Sequence, residues 1–174
     1  MVKPFHRPTN ATPVAVRRTS SAAVRAGAFD TSHEELERFS IPSQEGNERL
    51  VMERVGSLAS QLGLIGERLE GLKTAVSEAS MNAIEHGNGF DPALPVDVTI
   101  LRGHDRLVVR IGDRGNGPSI PDAGAPDLDA KLAGGESPRG WGLFLIEQMV
   151  DRFCHHAANG RHVTELEMSV EGVN

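Results

Sequence analysis

The chain has no run of about 18 uninterrupted apolar residues, so no helix in it is expected to cross a membrane. It has one cysteine, Cys154, which excludes an internal disulfide framework and suits a reducing cytoplasm. Positive charge is scarce: 18 Lys and Arg stand against 24 Asp and Glu, a net charge of −6. That balance argues against general affinity for nucleic acid, which needs clustered cations. There is no internal repeat, and the phosphate-cradling pattern G-x-x-x-x-G-K-[ST] is missing.

What is present fits one domain with a tail: 174 residues, 39% hydrophobic. The charge is uneven. Residues 1–29 carry five basic residues, three prolines and no acidic residue, whereas residues 41–174 hold 12 basic and 20 acidic ones. Residues 1–37 therefore read as a flexible basic N-terminal arm, and 38–174 as the folded domain. The arm's Arg-rich, acid-free composition also resembles an organelle transit peptide, for which a flexible tail is the simpler account.

Periodicity predicts a short strand at 38–43, then a helix at 47–62 with Leu50, Val51, Val55, Leu58 and Leu62 on its inner side, stopped by Gly63. A second helix is expected over 67–86, striped by Leu69, Leu72, Val76, Ala79 and Ala83. Two alternating strands, 95–102 and 106–113, read as a hairpin across Gly103-His104-Asp105. Residues 114–138 contain four prolines and five glycines, a loop length usually kept for function. A third helix at 141–152, with Leu145, Ile146, Met149 and Val150 inward, precedes strands at 152–157 and 162–170. The order β, α, α, β, β, loop, α, β, β implies an α/β two-layer sandwich: a mainly antiparallel sheet with helices on one face.

Three stretches carry chemistry. In VSEASMNAIEHGN, Glu78 and Asn82 lie one helical turn apart and share a face. A carboxylate there can accept a hydroxyl proton, and an amide oxygen can hold Mg²⁺ beside phosphate oxygens. In IGDRGNGP, Asp113 can accept a hydrogen bond from a base's amino group, while Gly115 and Gly117 let the backbone approach a flat ring. In PRGWGLFLIEQMVD, Gly140 and Gly142 open a helix whose free N–H groups and dipole favour phosphate, and Arg139 adds a cation. Trp141 either rims a nucleotide or packs on the sheet. His86 either approaches the nucleotide from the Asn82 face or caps the helix end. FCHH (153–156) puts Cys154 and His156 on one strand face, fewer ligands than zinc requires, and reads as a buried thiol beside surface imidazoles.

In this order, the three stretches resemble the N box and the two glycine boxes of the Bergerat-type ATP-binding fold. Gyrase, the ninety-kilodalton chaperones, histidine kinases and the mismatch-repair ATPases share that fold, with residues 118–138 as the lid. LKTAVSEASMNAIEHGN and RGWGLFLIEQMVD are similar to the bacterial anti-sigma factor serine kinases, which control stress and sporulation sigma factors. The resemblance implies ATP and Mg²⁺ as cofactors, Glu78 as catalytic base and Asn82 as Mg²⁺ ligand. It implies a nucleotide site of Asn82, His86, Asp113, Gly115, Gly117, Arg139, Gly140, Trp141, Gly142 and Leu143. It also implies a cytoplasmic homodimer that binds a sigma factor and phosphorylates a small anti-anti-sigma (STAS-type) protein on serine. Pro138 stands where some members carry a γ-phosphate-sensing arginine, and the lid sequence departs from the family pattern. Two other readings share the fold: an ATP-holding interaction module without phosphotransfer, and a detached histidine-kinase catalytic domain acting in trans.

Overall fold

The computed structural model describes residues 33–115, 139–158 and 161–170, without the side chains of residues 139–141 and 158. Among these the chain runs β1 (Glu34–Ile41), α1 (Glu48–Gln61), α2 (Gly66–Asn82), a π-helical turn (Ala83–Gly87), β2 (Val96–Arg102), β3 (Arg106–Gly112), α3 (Arg139–Met149), β4 (Arg152–Ala158) and β5 (Arg161–Ser169). The strands form one sheet in the order β1-β2-β3-β5-β4, and every neighbouring pair is antiparallel. The α/β architecture with an antiparallel sheet is thus the one the element order implies.

Period-two alternation decides which side of the sheet is dry. Val96, Val98 and Ile100 of β2, Leu107, Val109 and Ile111 of β3, and Leu166 and Met168 of β5 are buried in one core. Into the same core α1 sends Val51, Val55 and Ala59, α2 sends Leu72, Val76 and Ala79, and α3 sends Leu143 and Ile146. The helices therefore cover one face. On the other face cross-strand ion pairs run across β3, β5 and β4: Arg110–Glu165 at 2.5 Å, Arg106–Glu167 at 3.3 Å and Arg152–Glu167 at 3.6 Å.

Several boundaries and stripes differ from expectation. β1 starts at Glu34, so its first four residues lie inside the segment assigned to the arm, and it ends two residues earlier than predicted. In α1, Leu50 is half exposed and Ala59 is buried beside Val51 and Val55, while Leu58 and Leu62 pack half-buried against the core. In α3, Leu145 is exposed and Leu143 is buried, since the helix already begins at Arg139 and the inward line runs 143–146. Gly63, at φ 89°, ends α1 as a left-handed stop that a side chain would strain. The predicted lid and the turn residues 159–160 lie outside the described residues.

The helix-facing side of the sheet changes character along its length. Val109 pairs with Leu166, and Leu166 with Phe153; one step on, Ile111 pairs with Thr164, and Thr164 with His155. One step further, the Asp113 N–H donates to the His162 carbonyl at 3.0 Å. The apolar floor thus becomes a polar one where α2 ends.

Candidate nucleotide site

Glu78 and Asn82 fall in the last turns of α2, both half-buried at the border of core and surface. The helix does not simply stop after them. It widens into a π turn, with Asn88 N–H donating to the Ala83 carbonyl at 2.9 Å and Phe90 N–H to Ile84 at 2.9 Å. Such turns are rare and concentrate at functional sites. The widened end brings His86 and Gly87 to the rim of a cleft shared with Asn82, Asp113, His155, His162 and Thr164.

Three glycines explain how the elements come this close. A Cβ on Gly87 would overlap the Asp113 side chain, and one on Gly115 would overlap the Gly87 carbonyl. A Cβ on Gly142 would overlap the Glu78 carboxylate oxygen, with Glu78 Cδ 2.8 Å away. Gly115 is therefore required first by the chain itself, at its crossing with Gly87, rather than by a flat ring. The start of α3 lies directly against Glu78, so a helix N-terminus and a carboxylate share one spot.

Asp113 is only 5% exposed, and its Oδ1 has no hydrogen-bond partner among the described residues. His162 Nδ1 lies 3.4 Å from that oxygen, near enough for attraction but without hydrogen-bond geometry. Burial pushes the Asp113 carboxyl above the usual range, while His162 and the Gly115 N–H pull the other way. A buried acceptor left unmade costs about 1–3 kcal/mol, so the carboxylate is set to receive a donor from a ligand. An exocyclic amino group of a purine is such a donor, and the chemistry of this site fits it.

Asn88, 4% exposed, ties the site together in a way its sequence position did not signal. Its amide donates to Ser43 Oγ at 2.8 Å and the Leu94 carbonyl at 2.9 Å, and its Oδ1 accepts the Arg114 N–H at 2.8 Å. Arg114 in turn grips Asp97 through Nε at 3.0 Å and Nη2 at 2.7 Å, fixing the first glycine box to β2. Sequence reasoning also missed His155, His162 and Thr164. His155 is not a surface imidazole: it is half-buried, with Nδ1 3.0 Å from Thr164 Oγ1, and stacks on His162 at 5.8 Å between centroids. Cys154 is half-buried with Sγ 4.0 Å from His156 Nδ1, and no group of three or more metal-ligating side chains occurs among the described residues.

The remaining predicted site residues fall unevenly. Arg139, Gly140 and Trp141 form the first turn of α3, in backbone only. The Leu143 side chain is 6% exposed and belongs to the core, which leaves its backbone for a ligand. Gly117 lies outside the described residues.

The model of the histidine kinase-like ATPase domain matches residues 41–170. The chain belongs to that family. Within it the similar proteins are RsbW-type serine-protein kinases. The serine-protein kinase RsbW of Bacillus licheniformis is 31% identical over 120 residues, 67% of this chain and 73% of the relative. Its namesake in Listeria monocytogenes is 30% identical over 127 residues, 70% of this chain and 78% of the relative. That of Bacillus subtilis is 29% identical over 122 residues, 64% and 71% respectively. This places the chain in the RsbW-type branch of the histidine kinase-like ATPases, with ATP as the nucleotide the family uses. No helix among the described residues is long and apolar enough to cross a membrane.

Proposed function

We propose that the chain is an ATP-dependent protein-serine kinase that also serves as an anti-sigma factor. It binds a sigma factor and phosphorylates an anti-anti-sigma protein on serine, as a homodimer in the cytoplasm. The observation that supports this reading most is the Glu78 carboxylate lying against Gly142 at the start of α3. A helix start attracts phosphate, so a carboxylate beside it stands where a hydroxyl attacking the terminal phosphate would shed its proton.

In this reading Asp113 accepts the amino group of adenine, and the Gly115 turn flanks the base. His86 and Trp141 rim the nucleotide. Arg139 and the N–H groups from Gly140 to Leu143 hold phosphate oxygens. The Asn82 amide oxygen holds Mg²⁺, which neutralises phosphate charge when bound. The partner's serine oxygen bonds to the γ-phosphorus, the bond from that phosphorus to the ADP oxygen breaks, and the serine proton passes to Glu78.

The test is transfer from labelled Mg-ATP to an anti-anti-sigma protein encoded in the same genome, with Glu78→Gln alongside. Glu78→Gln is expected to keep ATP affinity and to slow transfer about 100-fold or more, the usual contribution of a positioned base. Transfer at the wild-type rate in the variant removes Glu78 as base. ATP binding with no transfer by the wild type favours an interaction module instead.

A further inference from the structure

Behind Asp113, on the face of the sheet away from the helices, one carboxylate gathers contacts from four parts of the chain. Asp113 and His162 line the cleft, while their chain neighbours Arg114 and Arg161 both reach Asp97. Asp97 points away from the helices, since Val96 and Val98 on either side of it are in the core. The β3 residue paired with it is Gly112, which puts no side chain between Asp97 and the two arginines. Arg114 takes the carboxylate as a fork, with Nε 3.0 Å from Oδ2 and Nη2 3.0 Å from Oδ1 and 2.7 Å from Oδ2. Arg161 Nη1 lies 3.5 Å from Oδ2, and Ser40 of the edge strand β1 donates its hydroxyl to Oδ1 at 2.6 Å. Partial burial pulls the Asp97 carboxyl up, but Ser40, Arg114 and Arg161 together hold it below its usual range.

An isolated ion pair this exposed contributes little; a bidentate fork within a network is the exception. In front of that network, Asp113 Oδ1 and His162 Nδ1 stand 3.4 Å apart without hydrogen-bond geometry. Their spacing is therefore left to the backbone, where the Asp113 N–H donates to the His162 carbonyl at 3.0 Å. Resting on the reading of Asp113 as the carboxylate that receives the base, we infer that Asp97 is a positioning residue for the nucleotide site. From the far face of the sheet it pins Arg114 and Arg161, and through them sets where Asp113 and His162 stand. Two arginines brought together without it would repel, and the turn that carries Asp113 would lose its side-chain anchor.

The experiment measures ATP affinity by calorimetry and stability by urea unfolding on the whole chain, so phosphotransfer is not needed. Arg114→Ala and Asp97→Ala should each weaken ATP about tenfold, the scale on which loss of a supporting contact lowers ligand affinity. Both break the same fork, so the double variant should also lie about tenfold below wild type rather than about a hundredfold. Arg161→Ala gives up one long contact and should weaken ATP about twofold. Asp97→Asn keeps the shape and removes the charge; it should lose ATP affinity as Asp97→Ala does, with a urea midpoint closer to wild type. Wild-type ATP affinity in Arg114→Ala or Asp97→Asn makes the network a brace of the sheet alone, which overturns the inference while the nucleotide site stands. A loss of about a hundredfold in the double variant also overturns it, because the two residues then act separately. Failure of the wild type to bind ATP overturns the reading of the site, and the inference with it.

Discussion

Two aspartates on the sheet side of the molecule show opposite uses of the same carboxyl group. Asp151, between α3 and β4, is closed on itself. Arg68 Nη1 and Nη2 reach its two oxygens at 3.3 and 2.8 Å, and the Ser169 N–H donates at 2.6 Å. These donors hold its pKa at about 2. Asp113, just after β3, is more deeply buried yet keeps one oxygen without a partner among the described residues, and burial pushes its pKa up. Asp151 is fully paired within the fold; Asp113 is a burial burden that, on the function proposed above, a bound ligand would relieve. On the same reading, that contrast separates a structural carboxylate from a ligand-binding one.

The sharpest way to test the functional end is to disturb geometry while leaving the fold intact. Gly142→Ala puts a methyl where the Glu78 carboxylate lies. Glu78 is the tip of a flexible side chain and can swing away, so melting temperature should hardly change. With the proposed base displaced, phosphate transfer in a single-turnover assay should fall about 100-fold. Normal transfer would separate Glu78 from the chemistry. Gly115→Ala meets backbone instead, the carbonyl of Gly87, which cannot swing away. Urea unfolding should show a loss of about 1–3 kcal/mol, the usual penalty for overpacking. An unchanged midpoint would mean that the crossing of the two glycines is looser than described.

Much of this was legible in the sequence, and the failures have a common cause. The element order and the α2 stripe follow from local period, and so do the Glu78–Asn82 spacing and the glycine boxes. Leu50 and Leu145 fit the predicted stripes yet are exposed, because local spacing does not say which phase of the helix faces the core. The π turn after Asn82 carries no propensity signal; Gly87 only makes sense once Asp113 is packed against it. His155 and His162 were unreadable for a similar reason. Their meaning comes from a cross-strand register, His155 opposite Thr164 and one step from His162, that alternation alone cannot supply. Asn88 likewise acquires its role from Ser43 and Arg114, far away in sequence.

Asp113→Asn tests the costly carboxylate. ATP affinity should fall at least about tenfold, since hydrogen bonds to charged groups are the stronger ones. Stability without nucleotide should hold or rise near neutral pH. The sign follows from the raised pKa: the group's contribution is full below the unfolded value and is lost as pH rises through the folded one, so at neutral pH the ionised form is a burden. A clear loss of stability in urea would instead make Asp113 structural, like its counterpart.

Asp151→Asn should do the reverse, with the smallest effect of the set. Nucleotide affinity, measured by calorimetry, should not change. Asp151 is two-fifths exposed, so solvent screening reduces its ion pair to about 0.5–1 kcal/mol of stability. Because its folded pKa is depressed to about 2, that contribution is present above the unfolded value and lost as pH falls through the folded one. The gap between wild type and variant in urea midpoints should therefore be constant from neutral pH to about pH 5 and close as pH 2 is approached. A gap that persisted at pH 2 would assign the stabilisation to the shape of the Arg68–Asp151–Ser169 contact rather than to charge. A change in nucleotide affinity would dissolve the contrast between the two carboxylates altogether.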